Sequence, residues 1–402
     1  MNTLNIRIII PLLVAALAWS AASTAAQAPG AVQPGQIEKQ FREPPKPRAT
    51  PQPIMEPPAP AQQAPVKADA VHFTLKQVLI EGATVYPEPA LRPYFAGLLG
   101  REITLLEVYA LANELTAHYR NDGYILSQII VPEQKIILEE GIVRLRVIEG
   151  FVDQVRIEGA VTGSRAVLDT YAEKIKQSRP LRAQALERYL LLINDLGGLV
   201  ARATLAPSQT VAGASDLSIT LTQDKFSADL GVNNRNSRSL GPWRVNAGAD
   251  LYSALGRYEH VGVRAATTAN EELNFIALLH DIRVGSEGGR VSINLSYARA
   301  RPEETANLPP DLQANSVMGG VAYTYPVIRG RTRNFYLRGS FTLHDGKTDF
   351  AGIKLSEDKL RAVRAGLTLD NSDRWRGINI LDAEFSHGLN VLGASETGSP
   401  SL

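Results

Sequence analysis

The sequence predicts a multidomain chain in which two α+β units of the order β-α-α-β-β precede an antiparallel transmembrane β-barrel, with about the first nine strands present. Three observations predict this architecture. The order strand, helix, helix, strand, strand occurs twice between Phe73 and Thr222. Segments that alternate apolar and polar residues follow Phe226, and an export signal stands at the N-terminus. The predicted domains are a signal peptide (1–26), a proline-rich linker (27–70), the α+β units (71–149 and 150–224) and the N-terminal part of the barrel (225–402).

The N-terminus has the three parts of a secretory signal peptide. Arg7 supplies a positive charge, Ile8–Trp19 is apolar, and Ala21–Ala28 is rich in small residues. We expect cleavage after Ala26. A retained membrane anchor is the alternative, but the apolar run is shorter than the ~20 residues that a spanning helix needs. The linker that follows cannot bury a core, and its composition predicts an extended spacer.

The composition argues against several classes of protein. The 42 basic residues balance 41 acidic ones, whereas a nucleic-acid-binding protein normally carries a basic excess. The chain has no cysteine and therefore no disulfide. No metal-ligand spacing links the histidines of the predicted strands, which are His260, His280, His344 and His387. Because no catalytic constellation is present, we expect no enzyme activity, no cofactor and no metal site.

Local signals define the elements of the two units. Thr104 and Glu107 form a capping box, which predicts the start of a helix that Gly123 ends. The same order of elements recurs from Val152 to Thr222, with Gly150 at the joint. In the first unit the other predicted elements are a strand at Phe73–Glu81, a short helix within Pro87–Leu99, and strands at Tyr124–Val131 and Ile142–Ile148.

Alternation with period two marks the predicted barrel strands. In Trp243–Tyr252, ten residues alternate between an apolar and a polar wall, about the length that a tilted strand needs to cross a bilayer. Leu273–Ile282 is less regular, because Ile276 and Leu278 fall on its predicted polar wall. That wall is either the lining of a pore or the wet side of a soluble sheet. The residues predicted to line a pore are Arg244, Asn246, Asp250, Arg264, Arg338, Arg364 and Asp370.

Residues 123–150 resemble the first polypeptide-transport-associated (POTRA) domain of two-partner secretion transporters, the haemolysin secretion/activation family of the outer membrane. Leu186–Leu196 is similar to the second helix of the family's second POTRA domain, and the strands after Phe226 are similar to the start of its barrel. The positions that match the family motif in the first domain are Gly123, Tyr124, Pro132, Gln134, Gly141, Glu149 and Gly150.

The resemblance implies an outer-membrane transporter whose POTRA domains lie in the periplasm. These domains would recognise the secretion signal of an exoprotein, and the barrel would translocate it unfolded without ATP. The implied partners are a secreted exoprotein (a haemolysin, an adhesin or a contact-dependent toxin), outer-membrane lipid and the barrel-assembly machinery, with no nucleic acid. The alternatives are an assembly factor for outer-membrane proteins and a soluble periplasmic binding protein with a β domain.

The chain departs from the family pattern in three places. Leu126-Ser127-Gln128 stands where the family often has Thr-Ser-Arg. Only Gln36–Arg42 could form part of an N-terminal plug helix before prolines follow. The chain stops at Leu402, after about nine predicted strands and without an aromatic-terminated last strand. We therefore expect a fragment of a longer transporter or a truncated gene product.

The predicted binding site is the edge of the first α+β unit. In such a unit the middle strand, here Tyr124–Val131, tends to lie at the sheet edge, where an extended peptide adds as a further strand. An ordinary buried strand is the alternative. A proline at Ile129 is expected to abolish exoprotein binding without unfolding the unit. The side-chain row predicted to contact the peptide, beside the helix Thr104–Asp122, is Ile125, Ser127, Ile129 and Val131.

Overall fold

The computed structural model describes Arg48 and residues 62–134, 137, 140–303, 311–375 and 377–396. The predicted signal peptide and most of the predicted linker lie outside these residues. Within these residues, no helix has both the length and the apolar character needed to cross a membrane. The helices are α1 (Glu88–Leu91), α2 (Leu105–Asn121), α3 (Arg165–Lys176) and α4 (Ala183–Asn194), and 3-10 turns occur at Ala68–Ala70, Arg92–Tyr94, Ala96–Leu98 and Arg238–Leu240.

The first α+β unit holds five strands and the helices α1 and α2. Its main sheet has the order β2-β5-β4, in which β5 pairs parallel with β2 and antiparallel with β4. The helix α2 packs its buried face, which includes Leu111, Leu115 and Tyr119, onto this sheet. The strands of the unit are β1 (His72–Thr74), β2 (Gln77–Glu81), β3 (Glu102–Thr104), β4 (Gln128–Ile130) and β5 (Ile142–Ile148).

The capping box at the start of α2 is confirmed. The Glu107 N–H donates to Thr104 Oγ1 at 3.2 Å, and the Thr104 N–H donates to Glu107 Oε2 at 2.7 Å. The last part of Tyr124–Val131 forms the strand β4, whereas its first residues form a turn in which the Ser127 N–H donates to the Tyr124 carbonyl at 3.0 Å. The predicted strand was too long because that turn carries no glycine or proline to signal it.

The second α+β unit repeats this topology. Its sheet has the order β6-β8-β7, with β6 parallel and β7 antiparallel to β8. The helices α3 and α4 cover one face and bury Leu168, Ile175 and Leu190 in a second core. The strands are β6 (Phe151–Glu158), β7 (Leu199–Pro207) and β8 (Ala214–Gln223).

The remaining strands form one antiparallel sheet in which chain neighbours are also sheet neighbours. In the part of the chain that the structure describes, β9 and β17 form its two edges. We call the end of this sheet that adjoins the second unit its proximal end and the opposite end its distal end. The strands are β9 (Phe226–Asn233), β10 (Arg244–Tyr252), β11 (His260–Thr268), β12 (Leu273–Val284), β13 (Gly289–Ala300), β14 (Leu312–Arg329), β15 (Arg333–Phe350), β16 (Ile353–Ser372) and β17 (Ile378–Gly388).

The pairing register assigns the side chains to two faces, because residues directly opposite each other point the same way. All seven residues predicted to line a pore share one face, which we call the charged face. The other face is apolar and carries exposed side chains such as Val245, Leu295 and Val317.

The expectation for β12 was wrong. Ile276 pairs with Ala265 and Leu278 with Val263, which places both on the apolar face. Leu273 and Phe275, whose side chains point to the opposite side of this strand, lie on the charged face, where they are buried in a local apolar cluster. Both walls of this strand are therefore apolar near its start, and the period-two pattern alone could not tell them apart.

Candidate functional site

The outer edge of β4 is the first part of the candidate site. In a strand, the N–H and C=O of one residue point to the same edge, so Ile129 and Val131 both face away from β5. The Ile129 N–H donates to Thr116 Oγ1 of α2 at 2.9 Å. The Val131 N–H donates to Gln62 Oε1 at 2.8 Å, and Gln62 Nε2 donates to the Val131 carbonyl at 3.4 Å. The side-chain amide of Gln62 thus occupies the place of a peptide group in a neighbouring strand.

The side chains of the predicted row point into the protein. Ser127, Ile129 and Val131 are only 0%, 1% and 7% exposed, respectively. Ile125 is half-buried and packs against the core of the second unit. A peptide at this edge would therefore meet the backbone of β4 and not this row. A proline at Ile129 would remove the hydrogen bond to Thr116, so that variant would also disturb the unit itself.

A second glutamine acts on β5 in the same way. Gln134 Nε2 donates to the Arg144 carbonyl at 2.8 Å, and the Arg144 N–H donates to Gln134 Oε1 at 2.8 Å. Pro132, which has no N–H to donate, lies between this bridge and the end of β4. Gln134 thereby satisfies the edge of β5 beyond the short strand β4, which gives this motif position a structural role.

The motif positions Gly123, Tyr124 and Gly150 form the joint between the two units. A Cβ at Gly150 would lie 2.5 Å from the Leu126 carbonyl oxygen, so only glycine fits there. The Tyr124 hydroxyl accepts a hydrogen bond from Arg182 Nη2 at 2.6 Å, and the Arg182 guanidinium lies over the Tyr124 ring. The Ala183 N–H also donates to the Gly123 carbonyl at 2.8 Å. These contacts fix the start of α4 to the first unit.

The carboxylate of Glu149 holds the loop that follows β2. It accepts hydrogen bonds from the N–H groups of Thr84 and Val85 at 2.7 and 2.8 Å, and from the Thr84 and Tyr119 hydroxyls. Burial alone would raise the pKa of Glu149, but these donors favour the carboxylate and hold the pKa below its usual value. A lowered pKa in the folded state means that Glu149 stabilises the unit above its ordinary pKa, and that this stabilisation disappears as the pH falls through the folded-state pKa.

Glu149→Gln is expected to destabilise the first unit by about 1–3 kcal/mol, because a neutral amide accepts these bonds poorly and brings a donor toward other donors. Hydrogen exchange of the Thr84 and Val85 amides would measure the effect at neutral pH. The difference between the two proteins should shrink in acid, where Glu149 is protonated. Glu158→Gln, at an exposed position, is the matched control. Equal exchange in both variants would contradict this role.

An ionic cluster joins the second unit to the proximal end of the sheet. Asp195, which follows α4, accepts two hydrogen bonds from Arg329, from Nε at 2.9 Å and from Nη2 at 3.0 Å. Arg283 lies 3.9 Å and Arg48 lies 3.7 Å from the same carboxylate. Burial would raise the pKa of Asp195, but the bonds from Arg329 and the surrounding positive charge hold it below the usual value.

A second contact lies at the turn between β12 and β13. Glu287 pairs with Lys174 and with Arg188, each at 3.2 Å, and accepts from the Tyr189 hydroxyl at 3.2 Å. In the same turn, a Cβ at Gly288 would lie 2.3 Å from Leu192 of α4. Sequence reasoning missed these residues, because Asp195 and Arg329 are 134 positions apart and no local pattern connects them.

The predicted pore-lining residues form ion pairs and hydrogen bonds across the charged face. Asp250 pairs with Arg264 at 2.9 Å and with His260 at 2.6 Å. Arg338 and Arg364 share Glu384, at 3.0 and 3.3 Å. The remaining contacts are those of Asp370 with Asn334 at 2.8 Å and of Arg244 with Asn236 at 3.4 Å. Asn246 lies on the same face. The structure brings these side chains onto one surface; their role in a pore stays a prediction.

Comparisons with known proteins agree with this architecture. Residues 73–150 match the family described as "POTRA domain, ShlB-type". The chain is 29% identical over 160 residues to the heme/hemopexin transporter protein HuxB of Haemophilus influenzae, covering 39% of this chain and 28% of that protein. It is 25% identical over 330 residues to the hemolysin transporter protein HpmB of Proteus mirabilis, covering 77% and 56% of the two chains.

The fold has a counterpart among solved structures. The structure of CdiB from Escherichia coli matches with a TM-score of 0.65 and 19% identity, covering 88% of this chain and 65% of that one. Residues 73–150 thus form a POTRA domain of the ShlB type, and the chain as a whole is similar to two-partner secretion transporters. It spans less than two thirds of the length of each of these three proteins.

The POTRA domain and the outer-membrane relatives give the elements their location. The nine-stranded sheet is part of an outer-membrane β-barrel, and the POTRA domain lies in the periplasm. The proximal end of the sheet is therefore periplasmic and the distal end faces the cell exterior.

Within the described ranges, no three histidine, aspartate or glutamate side chains are grouped so that they could hold a metal ion.

Proposed function

We propose that the chain captures the secretion signal of an exoprotein at the edge of β4 and translocates it unfolded, without ATP, along the charged face of the barrel. The contact between Gln62 and Val131 carries the proposal, because an amide outside the sheet already uses both backbone groups of Val131. A peptide backbone presents the same donor and acceptor. Strand addition at this edge would repeat that pairing along the peptide.

Neighbouring groups fit the same mode of binding. Asn113 of α2 donates to the backbone carbonyl of Gln62 at 3.3 Å, so the helix offers a second donor to a chain at this edge. Each backbone hydrogen bond contributes about 0.5–1.5 kcal/mol net. Binding of an exoprotein must displace Gln62, and the segment that carries Gln62 therefore competes with the exoprotein for Val131.

The two faces of the sheet support the transport step of the proposal. Charged residues of this face pair with one another at several places, which favours a wet surface and weakens the local field of each charge. An extended polar chain would slide along such a wall without adhering to it. The apolar face would contact outer-membrane lipid, and the barrel-assembly machinery would insert the barrel into the membrane. Folding of the exoprotein outside the cell would supply the free energy for translocation.

Val131→Pro is expected to weaken binding of the exoprotein's secretion signal about tenfold, because it removes one donor worth roughly 1.4 kcal/mol from the edge. Its N–H bonds only to Gln62, so the core of the unit keeps its own hydrogen bonds. Gln62→Ala is expected to strengthen binding, since it removes the competitor. Fluorescence anisotropy of a labelled secretion-signal fragment, titrated with the full-length protein in nanodiscs, measures both effects.

Val211→Pro, in the exposed turn before β8, is the control for introducing a proline. The edge is not the binding site if both Val131→Pro and Gln62→Ala bind the fragment with the affinity of the unaltered protein. The exoprotein itself, whether a haemolysin, an adhesin or a toxin, is to be taken from the gene beside the one for this chain.

A further inference from the structure

The charged face becomes apolar at the distal end of the sheet. The register carries the face from Asn246 through Ala266 and Phe275 to Ala298, so these side chains point to the same side as the charged residues. They are buried against one another in one apolar cluster. The buried members are Leu240, Ala266, Leu273, Phe275, Ala298, Ala300, Leu312 and Ala314.

The cluster is closed by the loop between β9 and β10, residues 234–243. This loop is distal, because β9 starts next to the second unit and runs away from it. It places Leu240, which is only 2% exposed, on the charged face of β11 and β12. Gly241 has φ +73°, and a Cβ there would lie 2.6 Å from a carboxylate oxygen of Glu272. The loop therefore fits its site closely.

Hydrogen bonds tie this loop to two further distal connections. The Glu303 N–H donates to the Ser239 carbonyl at 2.8 Å, and the Arg301 N–H donates to the Glu272 carbonyl at 2.7 Å. The Glu272 carboxylate accepts from the Thr268 hydroxyl at 2.7 Å. We call residues 234–243 together with the turn 269–272 and the apolar cluster the distal cap.

We propose that the distal cap is a gate that closes the outer end of the transport path at rest. The inference rests on the proposed transport function and adds a closed state to it. A close-packed apolar cluster that fills the outer end of the path would exclude water and ions, and an extended polar chain would not cross it while it is packed. Because Leu240 belongs to a loop and its neighbours in the cluster belong to strands, the loop is the part that moves.

The first test measures the resting conductance of the full-length protein in planar lipid bilayers. Leu240→Ser and Phe275→Ser should raise the open fraction roughly tenfold or more, because each removes a buried apolar side chain from the closed state. Leu255→Ser makes the same change at a largely exposed position in a proximal turn and should leave the conductance unchanged. Unchanged conductance in both cap variants overturns the gate.

The second test locks the loop, which is straightforward because the chain has no cysteine of its own. A disulfide between Ser239→Cys and Glu303→Cys joins residues that already share a hydrogen bond. The oxidised protein should bind the secretion-signal fragment normally but should not secrete the exoprotein, and reduction should restore secretion. Secretion by the cross-linked protein overturns the gate and leaves the transport function standing. If the unaltered protein secretes no exoprotein while the cap variants still raise conductance, the transport function fails and the gate stands.

Discussion

Replacing Asp195 with alanine is expected to detach the second α+β unit from the barrel and to cost about 3–5 kcal/mol, because it leaves buried arginines without their counter-charge. The side chain of Arg329 is only 6% exposed and that of Arg283 only 11%. Spin labels on α3 and on the turn 330–332 would report the separation by electron paramagnetic resonance. The distance should be single and short in the unaltered protein and broadly distributed in the variant.

Asp169→Ala is the matched control, since Asp169 pairs with Arg165 in the same unit but both side chains are more than half exposed. Such a surface pair contributes about 0–1 kcal/mol. The double variant Asp195→Ala/Arg329→Met should recover much of the loss, because it removes the uncompensated charge as well. The lowered pKa of Asp195 implies that the contact survives acidification below the ordinary aspartate pKa and is lost as the pH falls through the folded-state pKa. If Asp195→Ala leaves the distance distribution unchanged, this ionic cluster does not hold the second unit to the barrel.

Gly141→Ala is the second change with a large expected effect. Gly141 has φ +60°, and a Cβ there would lie 2.0 Å from the Thr74 carbonyl oxygen, which is backbone and cannot move aside without shifting the end of β1 and the segment that leads into β2. Overpacking of this kind costs about 1–3 kcal/mol, in addition to the strain of a left-handed backbone conformation. Hydrogen exchange across β2 and β5 should show the loss.

Gly100→Ala separates the two causes, because Gly100 has φ +78° but nothing within 4 Å of a Cβ. It should carry the conformational strain alone and be the milder variant. Equal destabilisation by the two substitutions would mean that the contact with Thr74 contributes nothing.

Much of this architecture follows from local sequence patterns. The capping box of Thr104 and Glu107 fixes the start of α2 because its hydrogen bonds join residues three apart. Period-two alternation placed all seven candidate pore residues on one face, because neighbouring strands pair in chain order and preserve that face. These relations span few residues, so a single sequence contains them.

The contacts that define the candidate site span many more residues. Gln62 and Val131 are 69 positions apart, and nothing near Gln62 distinguishes it from the other glutamines of the linker. Ile276 and Leu278 were assigned to the wrong wall because the opposite wall is also apolar where the distal cap covers it. Alternation identifies a lipid face only where the other face is wet.

The contacts of the second unit with the barrel determine which parts of the chain can be exchanged with a relative. The first unit touches the second through Gly123 and Tyr124, which contact Gln184 and Arg182, and through Ile125 and Leu126, which pack against the second core. A graft of the first unit therefore needs these partners to be matched on the receiving side. The second unit is different: Leu192 of its helix α4 packs against Gly288 in the turn between β12 and β13, and Asp195 pairs with Arg329 of β14. Chimaeras made to test exoprotein recognition should therefore be joined at Gly150, and the second unit should be transferred together with its barrel.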